Sequence, residues 1–159
     1  MLPDVYLADI VLVITAAVLF YVAVTDLKHY RIRNELILLL IGLFVLHLVL
    51  SGRWVNAAWN LGLAALVFAF LVFFYSRHWV GGGDVKILTV AFLWTGVDCA
   101  LAFALLLLVF AWLHVVAARF GLVQSPPSED GSGRRIAFAP SVAAALIAVF
   151  MLGCLRPPA

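Results

Sequence analysis

Two aspartates stand where apolar sequence gives way to short polar turns. Asp26 closes the run that begins at Ile10, and Asp84 follows Gly81-Gly82-Gly83 and opens another apolar run. They are 58 positions apart (84 minus 26). Two carboxyl groups that approach one another in a partly dry site do not easily both ionise. One then holds a proton while the other acts as a base toward water, which is what aspartate-driven peptide hydrolysis requires. Each residue also has a plain structural reading. Asp26 could pair with Lys28, Arg31 or Arg33. A carboxylate at a helix C-terminus gains nothing from that helix's dipole, however, and acids inside membrane spans are functional by default. Asp84, coming after glycines, is a natural helix N-cap.

Other chemistry is less well supplied. The run Gly81–Lys86 is no nucleotide loop, because its lysine does not follow the second glycine and no Ser or Thr comes next. Lys86 either supports nearby charge or contacts a substrate, or it simply snorkels. His47 and His114 fall inside apolar runs; His114 lies at a depth from which it could reach the aspartates, and a packed, hydrogen-bonded histidine is the commoner case. Too few histidines and acids cluster for a catalytic metal site, and two cysteines, Cys99 and Cys154, do not make a four-cysteine zinc site. Neither metal nor organic cofactor is expected. The basic residues lie in short clusters between apolar runs, which excludes a nucleic-acid binder.

The elements that must hold the aspartates are set by composition. Of 159 residues, 67% are hydrophobic and 11% charged, against roughly 25% charged in a soluble domain. One soluble core of this size could not hide that much apolar surface. Lipid is the solvent that fits. About 20 apolar residues cross the hydrocarbon core as a helix, which predicts spans near 7–26, 35–51, 54–75, 98–119 and 137–154, with a shorter piece at 85–97. The N-terminus lacks the positive segment of a secretory signal, so the first run is expected to stay as a span. Gly121 to Arg135 reads as a mobile polar loop. The expected fold is all-α: a polytopic membrane protein of about six transmembrane helices forming a single domain over 1–159.

Charge gives the sidedness. Lys28, Arg31, Arg33, Arg77, Lys86, Arg119, Arg134 and Arg135 occupy alternate loops, while Arg53 and Arg156 occupy the other side. Eight against two predicts that the first group is cytoplasmic and that both termini are outside. Trp54, Trp59 and Trp94 then fall near the outer interface, unless they are packing residues. Cys99 and Cys154 fall on the oxidising side, where a disulfide is permissible, although buried free thiols are commoner. Asp26 and Asp84 share the cytoplasmic face. Val85 to Val97 make about 20 Å of helix, short of the roughly 30 Å core, so Asp84 should lie below the membrane surface if Asp98 marks the outer edge. Glycines at that depth suggest a backbone that another segment approaches closely.

These residues carry a resemblance. Thr25-Asp26-Leu27-Lys28-His29-Tyr30-Arg31-Ile32-Arg33-Asn34 resembles the first active-site segment of type IV prepilin peptidases, and Gly81-Gly82-Gly83-Asp84-Val85-Lys86 resembles their second, the GxGD segment. Ile136-Ala137-Phe138-Ala139-Pro140-Ser141 is a looser match to the stretch before their last helix. The resemblance implies an aspartate intramembrane protease of the inner (plasma) membrane that cuts the basic leader from pilin precursors at the cytoplasmic face, after a glycine. Asp26 and Asp84 match the catalytic pair. Gly81, Gly82, Gly83, Lys86, Lys28 and Asn34 are the expected supporting or substrate-binding residues. Membrane lipid and pilus secretion machinery are the further partners implied. Arg33 stands where family members usually have proline, and no cysteine-rich zinc loop is present, so the short peptidase-only form serving tight-adherence pili is implied, without methylation.

Three alternatives stay open. A small proton-coupled transporter or channel also uses intramembrane acids, though the internal repeat such proteins often show is not evident. A catalytically silent scaffold would not need both aspartates. A presenilin-like protease would share GxGD but have more spans.

Overall fold

The computed structural model describes residues 2–52, 54–122 and 137–153. All but the first residues of the expected polar loop lie outside them, as do Arg53, Arg134, Arg135, Cys154 and Arg156. The described elements are all helical: α1 (Leu2–His29), α2 (Asn34–Ser51), α3 (Trp54–Ser76), α4 (Gly82–Arg119) and α5 (Ala139–Met151). The first three contain 28, 18 and 23 residues, about 42, 27 and 34 Å at 1.5 Å per residue. They and α4 are long and apolar enough to cross a membrane. The chain is thus a polytopic, all-helical membrane protein.

The turns have visible causes. Tyr30 ends α1 in the left-handed region at φ 51°, and its N–H donates to the Asp26 carbonyl at 2.8 Å. Gly52 ends α2 at φ 65° and donates to the Leu48 carbonyl at 3.0 Å, a glycine closure that satisfies an orphan carbonyl. At α5, Pro140 sits in the first turn, where its missing N–H costs nothing.

Helix α4 is two antiparallel arms. Gly96 has φ 60° and ψ −169°, which is not helical. The Phe92 and Phe103 rings are 5.1 Å apart, whereas 11 residues of straight helix span about 16 Å. The arms therefore fold back at Gly96. The expected boundary between the 85–97 piece and the 98–119 span falls at Gly96, two residues before Asp98, where the missing side chain admits a positive φ. Asn60 on α3 covers the break: a Cβ on Gly96 would lie 2.1 Å from its Oδ1.

The core lies where α5 packs between α1 and α4. Ala139, Ala143 and Ala145 are buried there with Val142, Leu146 and Val149, small residues of the kind that let membrane helices approach closely. Trp94 is 1% exposed, donates from Nε1 to the Leu40 carbonyl at 3.1 Å, and meets Phe44 edge-on at 5.5 Å. It is a packing residue, whereas Trp54 and Trp59 are exposed. Outward-facing Phe68, Phe70 and Phe73 on α3 are exposed, as a lipid-facing surface requires.

Two further expectations are corrected. The last helix, expected over 137–154, is 139–151, 13 residues or about 20 Å, bounded by Pro140 and by Gly153 at φ 69°. Cys99, expected as a buried free thiol, is disulfide-bonded. The reason is local: Phe150, near the end of α5, packs on Trp94 at 5.5 Å, bringing that end beside the Gly96 break. Sequence distance conceals this neighbourhood.

Candidate active site

Asp26 sits one turn from the end of α1 and is 6% exposed. Its Oδ2 accepts the backbone N–H of Ala139 at 3.1 Å. Ala139 is the first residue of α5, so the carboxylate occupies a helix N-terminus, where unpaired N–H groups and the dipole favour an anion. The aspartate that ends one helix thereby caps another. Among the described residues it makes no ion pair with Lys28, Arg31 or Arg33; the ion pair found there joins Arg33 to Glu35, both exposed.

Asp84 is the third residue of α4. The N-cap position belongs to Gly81, not to Asp84. Asp84 instead reaches back, and its carboxylate accepts the Gly81 backbone N–H, the returning half of a capping box. A Cβ on Gly81 would lie 3.2 Å from Asp84 Oδ2. The next two glycines admit neighbours. A Cβ on Gly82 would lie 3.3 Å from the Tyr75 ring, and one on Gly83 would lie 3.4 Å from Ile32. Close approach thus seats the end of α3 and the first loop on the opening turn of α4.

These contacts draw both segments around one cavity of about 730 Å³. Asp26, Asp84, Gly81, Gly82, Gly83, Lys86 and Asn34 all line it. Asp84 also lies within electrostatic reach of Asp26. Lys86 Nζ donates to Asn34 Oδ1 at 2.8 Å, tying α2 to α4. Lys28 is exposed on the last turn of α1 and does not line the cavity. Among the described residues no three His, Cys, Asp or Glu side chains converge as metal ligands do.

Sequence reasoning named Tyr30, Arg31, Ile32, Ala137 and Phe138 within the resembling segments without assigning them to the site, and all five line the cavity. It also missed the Ala139 N–H. Pro140 offered a signal, since proline marks a helix start and a helix start offers N–H groups to a carboxylate. Chemically, the cavity holds two close carboxyl groups, with Arg31, Arg33 and Lys86 as cations around them. It can activate water, polarise a carbonyl, and accommodate an extended stretch of peptide.

A model of the type IV leader peptidase family matches residues 13–155. No curated protein and no solved structure matches the chain significantly.

Proposed function

The chain belongs to the type IV leader peptidase family, and from that premise we propose that it is an aspartic endopeptidase whose catalytic residues are Asp26 and Asp84. The observation that carries the reading is the convergence of these two carboxyl groups, remote in sequence, on one cavity. One carboxylate removes a proton from water as its oxygen bonds to the scissile carbonyl carbon. The protonated partner donates to the carbonyl oxygen. Collapse of the tetrahedral intermediate returns a hydroxyl proton to the second carboxylate and breaks the C–N bond, and the leaving nitrogen takes the proton first removed from water.

The proposed substrate is a pilin precursor with a basic leader and an apolar helix. That helix lies in lipid against the spans, and the scissile bond is drawn out to the cavity. Glycine at the cut loses little by leaving a helix. The enzyme acts as a single domain in the inner membrane, with six crossings, both termini outside and the cavity at the cytoplasmic face; the eight-to-two basic asymmetry supports that orientation. It removes the leader without methylating the new N-terminus.

Co-expression with pilin precursors, followed by N-terminal sequencing, tests the reading. The expected product is a shortened pilin whose first residue follows a glycine. An intact leader on every precursor tried would overturn it.

A further inference from the structure

Each aspartate accepts a backbone N–H at a helix start: Ala139 of α5 for Asp26, and Gly81 before α4 for Asp84. On that count the pair is symmetric, and nothing decides which member holds the proton. The second arm of α4 breaks the symmetry. Because the arms fold back at Gly96, residue 114 returns to the end of the bundle where residue 84 began. Ser141 Oγ donates to the Phe110 carbonyl at 3.5 Å, fixing this arm against the first turn of α5, two residues from Ala139. One helical turn beyond Phe110, on the same face, lies His114. Its Nε2 is buried and has no hydrogen-bond partner among the described residues. Its imidazole interacts electrostatically with Asp26.

We propose that His114 is the positioning residue of the pair: its imidazole stabilises negative charge on Asp26, making Asp26 the base and leaving the shared proton on Asp84. The assignment rests on the aspartic-endopeptidase reading for its consequence in catalysis, but not for the electrostatics. Histidine is suited to the role because it is the side chain whose unperturbed charge change falls between about pH 5 and 8. Asp26 is the acid it meets on α1. Helix α5 offers no titratable side chain over 139–151. The first arm brings Asp84 and Lys86 to the same end, with Lys86 engaged by Asn34, and Arg119 lies five residues further along the second arm.

The sign follows from the charge. An imidazolium near Asp26 keeps it ionised as pH falls, so removing the imidazole moves protonation of Asp26 to higher pH. The test uses the full chain in lipid nanodiscs, comparing wild type, His114→Gln and His114→Lys. Protonated-carboxyl infrared bands are followed from pH 8 to 4, with the Asp26 band identified by its loss in Asp26→Asn. In His114→Gln that band should appear about one pH unit higher than in wild type, and the acid limb of precursor cleavage should move with it. In His114→Lys, which keeps a cation, the band should appear no higher than in wild type. Superposed Asp26 titrations in wild type and His114→Gln overturn the proposal, as does a loss of cleavage by the same factor at every pH. The expected infrared shifts with no cleavage by wild type would uphold the electrostatic assignment and refute the peptidase reading instead.

Discussion

The backbone N–H of Ala139 donates to Asp26 across 113 positions of sequence, at 3.1 Å. A helix start and a helix end are thereby locked together at the cavity, and the lock uses no side chain of α5. Its existence explains how a carboxylate can be buried at the end of α1 with no ion pair among the described residues.

Replacing Ala139 by proline removes that donor, and Phe138 before it, at φ −93° and ψ −28°, must also shift toward extended backbone. Loss of a hydrogen bond to a charged group costs about 1.5–3 kcal/mol. Ala139→Pro should therefore lower cleavage tenfold or more and lower the thermal midpoint in detergent. Unchanged kinetics would remove the cap from the mechanism.

Asp26→Asn and Asp84→Asn should each abolish precursor cleavage while leaving an inserted, folded protein. The double variant should be no worse than either single one, since members of a catalytic unit are not additive. Asp98→Asn is the control: Asp98 lies on the second arm beside the Gly96 break and is exposed. Full processing by either single variant, assayed with purified protein, would falsify the assignment of the pair.

Lys86 and Asn34 form one hydrogen bond, so their losses should overlap. Lys86→Ala and Asn34→Ala should each reduce activity modestly, far less than the aspartate variants. Their coupling in a double-mutant cycle should be about 0.5–1.5 kcal/mol. Strict additivity would show that the contact has no energetic role.

Gly96→Ala places a Cβ 2.1 Å from Asn60 Oδ1 on a residue at φ 60°. With ψ at −169° this is backbone that essentially only glycine adopts, costing an L-residue about 1–3 kcal/mol, and overpacking adds about 1–3 kcal/mol. The variant should unfold at markedly lower temperature, and Asn60→Ala should restore only the steric part. Full rescue by Asn60→Ala would show that the backbone angle carries no cost.

The disulfide at Cys99 predicts that alkylation of the denatured protein labels neither of its two cysteines until reductant is added. Removing it should destabilise by about 2–4 kcal/mol. Two reactive thiols in unreduced protein would show that the bond is not formed.

Much of this was legible in the sequence. A carboxylate closing an apolar run announces itself, as Asp26 does, and three successive glycines before Asp84 announce a close approach without naming Tyr75 or Ile32 as the neighbours. What stayed hidden was carried by the backbone or by tertiary neighbourhood. Ala139 contributes an N–H that every residue but proline has. Gly96 turns the chain at φ 60°, which the boundary read at Asp98 located only to within two residues. Trp94 suits a membrane interface and a packed core equally, and only the Leu40 carbonyl within its reach decides between them. Cys99 meets its bond because α5 ends beside Trp94, which no spacing rule conveys.

The hairpin at Gly96 also bears on biogenesis. Both ends of α4 return to one side, so the two arms can enter the bilayer together as a loop. Asp84, Lys86 and Arg119 sit at the open ends, which the proposed topology leaves on the side where they began. In the proposed six-crossing topology, Asp98 alone of the Asp, Glu, Lys and Arg residues in this element is carried through the hydrocarbon during insertion. A carboxyl group makes that passage at a cost of about 2.5–3.5 kcal/mol on insertion scales, a barrier that the surrounding apolar length readily offsets.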